Sequence, residues 1–435
     1  MFRVLMTRGK FNSACASVSN LMLKLQSRFT RNFTLIAVLA AGCYPCRPLC
    51  GAAGRWDAGA VAQAHSDVNR KCPSRDGLGA ALGNASDLMG QSRYQDAVAL
   101  LQPLAGMDCD ARASLLLAAA FEGQGDQLKA TGVLQQAHSV WPSDSSIAAS
   151  LAREYLNAGQ TEKAVAALNH FHATPATRPQ EMKMAVVVYL TADKLTSALT
   201  VAQVAYKAYP SLDTLLLLAN VLQLEGRYPD VNRILGTKRA AYSDSPKFLI
   251  TLAESEFDAS IYGPAREDIE RAISLDGSAF QAHYILGNIL VRLGESDRAV
   301  AEYNESIRLN PHEPRTYYQL ALVLREKMDI AGEESVLEQA LAADDRYAPA
   351  HCELGRILLD QNRLEEAVNH LNMAVQYNPR SEEAYFLLVR AYRKLGERDK
   401  AEAMVKRLVA VRKENRPNAM NKLVNDAASR LATNR

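Results

Sequence analysis

The fold class this sequence predicts is all-α, an array of stacked helical hairpins. Three observations carry that reading. The chain has 435 residues, 48% of them hydrophobic and 23% charged, which is an ordinary globular balance and excludes disorder as its main state. Its 23 Gly and 16 Pro make up about 9%, below the roughly 12% average, which argues against a turn-rich all-β fold and against low complexity. Small and bulky residues also recur with a 34-residue period over most of the chain, and periods of this size mark stacked repeats. The 50 Lys+Arg nearly balance the 48 Asp+Glu, and a net charge of +2 gives no reason to expect nucleic acid as a partner.

The first element is a leader. Residues 33–43 form an uncharged apolar run ending in Ala-Ala-Gly-Cys, preceded by Lys24, Arg28 and Arg31. A membrane-spanning helix needs about 20 apolar residues, so this run is too short to be one. A basic stretch, a short apolar core and then small residues is the pattern of a secretory signal peptide. Met22 leaves a more compact basic segment than Met1 and is the alternative start. Two exits stay open. One is cleavage near Cys50-Gly51-Ala52. The other is lipidation at Cys43, because Ala40–Cys43 resembles a bacterial lipoprotein box, although Ala40 stands where Leu is usual. The spacing Cys43, Cys46, Cys50 lacks the second pair that a zinc site requires. We assign 1–52 to leader and signal, and 53–77 to a linker.

The repeats fill 78–415. The clearest copy runs from Phe280, counted as position 1, with Leu286 and Gly287 at 7 and 8, Gly294 at 15, Ala299 at 20, Tyr303 at 24 and Pro311 at 32. The following copies give Leu320, Ala321, Leu337 and Ala340, then Leu354, Gly355, Ala367, Leu371 and Ala374, then Leu388, Tyr392, Gly396 and Ala401. Earlier copies start at Leu78, Ala111, Ser145, Pro179, Leu212 and Pro246. The last of these is degenerate, with Glu256 at position 11 and Ser260 at 15.

These residues resemble the tetratricopeptide repeat (TPR). The resemblance covers ten copies and is specific, because many positions recur at one period. It implies two antiparallel helices per copy and a right-handed superhelical solenoid. Small residues at 8, 20 and 27 allow close approach, and large ones at 4, 7, 11 and 24 fill the gaps. Gly at 15 supplies backbone freedom at the turn, and Pro at 32 stops the second helix. A single hairpin cannot bury its apolar face, so neighbours must stack. Residues 416–435 carry Met420, Leu423, Val424, Ala427, Ala428 and Leu431 on one face. They read as a C-terminal capping helix, or as a helix that docks on a partner.

No catalytic constellation is present: there is no phosphate-cradling loop and no His-Glu-x-x-His. His170 and His172 are two apart and share no helix face, so no metal and no cofactor are expected. His283 and His351 stand at position 4 and read as packing residues. The remaining activity is binding. In proteins with these repeats the first helix of each copy lines a concave groove, with positions 2, 5, 9, 12 and 13 facing it. Here those slots hold Tyr284, Asn288 and Arg292, then Tyr318 and Arg325, then Cys352 and Arg356, then Phe386, Arg390 and Arg393. This basic and aromatic stripe suits an extended peptide with acidic or aromatic side chains; a solvated basic face is the alternative. A chaperone-type carboxylate clamp would need Lys, Asn, Asn, Lys and Arg where Tyr284, Asn288, Gln319, Pro349 and Glu353 stand, and only Asn288 matches. The run His283–Tyr318 also resembles repeats of O-linked N-acetylglucosamine transferases, without their catalytic region.

The expected function is therefore a non-catalytic protein-interaction scaffold, exported to the periplasm or envelope, with a membrane tether through its N-terminus as one option. The alternatives are a substrate-presenting or regulatory subunit of an enzyme such as a glycosyltransferase, and a cytosolic adaptor. The repeat register places Cys72 and Cys109 at adjacent ends of the first hairpin. A Cys72–Cys109 disulfide would contribute about 3–4 kcal/mol in the chain-entropy model and would need an oxidising compartment.

Overall fold

Twenty helices and no strand make up the described residues, 72–105 and 110–433, of the computed structural model. The leader, the signal exits, Cys43 and Cys109 lie outside the described residues. The chain forms two compact units. The first, Met1–Arg227, holds hairpins α1 (Arg75–Gly90) with α2 (Tyr94–Ala105), α3 (Ala111–Gly123) with α4 (Gln127–Val140), α5 (Ser145–Asn157) with α6 (Thr161–Ala167) and α7 (Pro179–Thr191) with α8 (Leu195–Ala208), followed by α9 (Leu212–Leu224). The second, Tyr228–Arg435, opens with α10 (Tyr228–Gly236). Its hairpins are α11 (Pro246–Asp258) with α12 (Tyr262–Leu275), α13 (Phe280–Arg292) with α14 (Ser296–Leu309), α15 (Pro314–Glu326) with α16 (Ile330–Ala343), α17 (Ala348–Asp360) with α18 (Leu364–Tyr377) and α19 (Glu382–Lys394) with α20 (Arg398–Thr433).

Local chemistry sets the starts of the first helices. The side chains of Asp110, Asp144, Ser211, Ser245 and Ser381 each accept a backbone N–H from the first turn, satisfying donors that the helix itself leaves unpaired. Pro179, Pro246 and Pro314 open α7, α11 and α15, where a missing N–H costs nothing.

The turns inside the copies carry the repeat register most clearly. Position 15 has positive φ in all ten copies: Ser92, Gly125, Gly159, Asp193, Gly226, Ser260, Gly294, Met328, Asn362 and Gly396. Half of these are not glycine, and the degenerate copy with Ser260 turns like the others. The left-handed conformation therefore follows from closing the two helices, and glycine only lowers its cost.

The core is built from the expected small-against-large contacts. Ala97, Ala130, Ala164, Ala198, Ala265, Ala299 and Ala367, all at position 20, are fully buried. A Cβ added at Gly287 would lie 2.5 Å from the Tyr303 ring, and one added at Gly355 would lie 2.5 Å from Leu371. Position 8 is small because position 24 of the same copy occupies its space. Within each unit, successive first helices also touch, as α3 does α5 and α11 does α13. Comparable contacts between successive second helices do not occur among the described residues. The first-helix face is thus the inner one.

Two sequence expectations meet a different geometry. The 416–435 segment is not set off by a break, because α20 runs unbroken from Arg398 to Thr433 with Pro417 inside it. His170 and His172 sit beyond the end of α6, exposed and in irregular chain. Among the described residues no group of His, Cys, Asp and Glu is placed to hold a metal ion, and no helix is long and apolar enough to cross a membrane. Cys72 is disulfide-bonded.

Candidate partner-binding face

The first-helix face of the second unit gathers most of the expected residues, but it commits many of them to one another. Tyr303 is buried in α14, and its hydroxyl donates to Oδ1 of Asn288 at 2.8 Å. Asn288 also stands close enough to the Tyr284 hydroxyl to influence it. Asn288 therefore satisfies a buried phenol, which explains why this position carries an amide. Burial pushes the Tyr284 and Tyr318 hydroxyls up from their ordinary range, so both stay neutral donors.

Arg315 lies over the Tyr284 ring, 5.8 Å from its centroid. Its guanidinium meets Glu313 twice, Nε to Oε1 at 2.7 Å and Nη2 to Oε2 at 3.0 Å. Tyr318 packs edge-on against Tyr347 with 5.9 Å between centroids. Tyr347 and Glu254 belong to this neighbourhood, and sequence reasoning missed both. Tyr347 is the N-cap residue of α17 and falls outside the helical slots. Glu254 is position 9 of the degenerate copy, so its slot was readable once the register was extended there. Burial, then the nearby Asp258, push the Glu254 carboxyl up to about 7, while Arg315 pulls it down.

The arginine stripe departs from the expectation of a plainly basic face. Arg325 bonds Glu353 at 2.8 Å. Arg356 bonds Glu353 at 2.6 Å and also pairs with Glu333, both carboxylates being almost fully buried. Arg390 reaches Asp360 at 3.4 Å, and Arg292 lies against the Tyr262 ring and hydroxyl. Two of these acids, Glu333 and Glu353, come from positions outside the groove slots, whereas Asp360 is itself at slot 13. Glu333 occupies position 20, where Ala is usual, and Glu353 occupies position 6. A buried Glu at the Ala position is stable only because Arg356 arrives from the next copy. Burial raises the Glu333 carboxyl, and Arg356 opposes that rise.

The same device explains the degenerate copy. Glu256 at position 11 and Asp268 of α12 are both buried, and Arg239 reaches them at 2.5 and 2.8 Å. Burial and the neighbouring Asp268 push Glu256 up to about 7.

What remains accessible lies at the far end of the face. Phe386 is 49% exposed. Arg390 and Arg393 come one and two turns later on the same helix, and Arg393 is exposed. Cys352, at an expected groove slot, is buried, and its thiol is pushed up to about 12, chiefly by burial. It is therefore inert as a nucleophile. His283 and His351 are buried at position 4 as expected. His283 bonds Glu302 at 2.7 Å, and His351 bonds the His370 ring at 3.0 Å.

Comparison with known proteins finds the same repeat in the sequence. Tetratricopeptide-repeat families match at residues 82–144, 318–384 and 358–420, and the TPR repeat family matches at 287–327. The chain is 20% identical over 273 residues to the TPR repeat-containing protein YpiA of Bacillus subtilis, a match covering 62% of this chain and 63% of that protein's length. Among solved structures, yeast Tom70 is 14% identical with a TM-score of 0.43, over 78% of this chain and 93% of that one. The pilF protein of Pseudomonas aeruginosa is 17% identical with a TM-score of 0.41, over 44% and 87%. The recurring turn at position 15, the small-against-large core and the matched segments lead to one conclusion: this chain carries tetratricopeptide repeats.

Proposed function

We propose that this chain is a non-catalytic interaction scaffold, exported to the bacterial envelope, whose second unit captures an extended segment of a partner protein during secretion or envelope assembly. Tetratricopeptide repeats are protein-interaction modules, and that much follows from the family. The observation that carries the finer reading is Phe386, a half-exposed aromatic with Arg390 and Arg393 stacked behind it on one helix face. A large exposed aromatic beside guanidinium groups is the composition of binding hot spots, and Arg is suited to carboxylates because its planar fork makes two bonds at once. The disulfide at Cys72 supports export, because such bonds persist in oxidising compartments.

The test is affinity capture from an envelope extract, followed by mass spectrometry, with wild-type protein and the double variant Phe386→Ala, Arg393→Ala. The scaffold reading expects a defined partner with wild type and at least a tenfold loss with the variant. Equal recovery of the same proteins would remove this face from the mechanism. N-terminal sequencing of the mature protein tests export: a chain beginning at Met1 or Met22 counts against it.

A further inference from the structure

The last hairpin, α19 with α20, has no copy stacked after it, and its side chains register the difference. One copy earlier, position 5 is Cys352 and position 12 is Leu359. Both are buried, and Cys352 shares a core cluster with Ala384, Tyr385 and Leu388 of the following copy. In the last copy the same two positions hold Phe386 and Arg393, and both are exposed. Position 28 repeats the contrast: Val375 is partly buried, whereas Val409 on α20 is 60% exposed. The rest of α20 does not return to cover this surface. Arg412 bonds Glu382 at 3.1 Å and Asn415 donates to the Arg380 carbonyl, so the unbroken helix beyond them runs on past the start of α19. The stripe left open on α19 is Glu383, Phe386, Arg390 and Arg393, at intervals of three, four and three residues, which places all four on one helix face. Among the described residues neither Glu383 nor Arg393 forms an ion pair, and Arg390 is held only by Asp360 at 3.4 Å.

We propose that this open end is an interface with a second copy of the same chain, formed by α19 packed antiparallel on the α19 of that copy. The stripe is complementary to its own reverse. Glu383 and Arg393 are centred on Leu388, and so are Phe386 and Arg390. A two-fold axis level with Leu388 therefore sets Glu383 against Arg393 of the second copy, and Phe386 against its Arg390. Each contact occurs twice, giving two carboxylate–guanidinium pairs at the rim and two aromatic rings under guanidinium groups at the centre. Val409 adds exposed apolar surface on the adjoining helix. An unrelated partner has no reason to carry the reversed pattern, whereas a second copy carries it by construction. A contact of this kind uses the same patch on both chains and closes on itself, so it makes a dimer and not a filament. It also supplies the cover that the end of a solenoid requires. This inference goes beyond the capture of a partner and does not rest on it. Both use Phe386, so a captured segment displaces the second copy.

The test is sedimentation velocity of the full chain over a hundredfold range of concentration, with wild type, Glu383→Arg, Arg393→Glu and the double variant Glu383→Arg, Arg393→Glu. Wild type is expected to be a dimer in reversible exchange with monomer. Each single reversal sets like charges together twice and is expected to weaken the dimer at least tenfold. The double variant restores both opposite-charge pairs and is expected to recover the dimer. Mixing the two single variants is expected to give a mixed dimer, because every Arg then faces a Glu of the other chain. That recovery also shows that the single variants are folded, and far-UV circular dichroism checks the same point directly. A wild-type chain that stays monomeric overturns the interface. A dimer that survives both single reversals, or one that neither the double variant nor the mixture recovers, overturns its placement on α19. The double variant keeps the dimer while reversing the charges beside Phe386, so self-association and capture of an acidic partner are read separately.

Discussion

Replacing Met328 with glycine should stabilise the protein. Met328 occupies position 15 of its copy at φ 60°. Its side chain, 80% exposed, has few contacts to lose. An L-residue in the left-handed region costs roughly 1–2 kcal/mol, and glycine gives back about 0.5–1 kcal/mol of that gain through the greater freedom of its unfolded chain. The net expectation is stabilisation by about 0.5–1 kcal/mol. A solenoid need not unfold in one step, so the readout is amide hydrogen exchange across α15 and α16, alongside urea unfolding. Slower exchange confined to this hairpin and its neighbours is expected. Gly294→Ala, the reverse change one copy earlier at φ 80°, should cost about 1 kcal/mol by the same argument. If Met328→Gly is neutral or destabilising while Gly294→Ala costs nothing, strain at position 15 is not what these turns share.

Three further expectations concern the packing and the buried charges. Gly287→Ala should destabilise by about 1–3 kcal/mol, since its Cβ would lie 2.5 Å from the Tyr303 ring; urea unfolding measures this, and an unchanged midpoint would refute the close packing. Arg356→Leu should cost roughly 3–5 kcal/mol by stranding Glu333 and leaving Glu353 to Arg325 alone, and adding Glu333→Ala, the usual residue at that position, should recover part of it. No recovery would mean that the ion pair is not the cause. Glu256, raised from an unfolded value near 4.5 to about 7, makes the fold lose stability as pH rises from about 4.5 through 7, because the unfolded chain gives up its proton first. Glu256→Gln, which mimics the protonated carboxyl, should flatten that loss and be the more stable protein at pH 8; a wild-type and variant pair with parallel pH profiles would contradict it.

The repeat register was legible because the residues that set it act within their own copy. Gly287 answers Tyr303, and the turn at Gly294 closes the same hairpin. Even Ser260, which looked like a failed turn, obeys the geometry because the flanking helices impose it. The charges were legible only in part. Arg356 reads in the sequence as a free groove arginine, and nothing local reveals that Glu333, in the preceding copy and at a position meant for Ala, has already claimed it. Glu256 looked like decay of the pattern for the same reason: its partner, Arg239, comes from the irregular segment before its own copy. Tyr347 was missed because it lies between helices, where no periodicity points to it. Residues whose meaning depends on a neighbouring copy cannot be read from a single-copy consensus.

The chain of Arg325, Glu353, Arg356 and Glu333 has a consequence for how such a protein changes over generations. Tandem repeats are prone to gain or lose a unit by unequal recombination, and copies with interchangeable surfaces tolerate this. Here the junction between the hairpins α15–α16 and α17–α18 is keyed. Deleting α15–α16 would leave Arg356 and Glu353 facing Ala299 and Val291 at the corresponding positions, and duplicating it would put Leu322 opposite Glu333 where Arg356 now stands. The number and order of copies across this junction are therefore held fixed by the protein's own interior, which keeps the spacing between the two ends of its binding face constant.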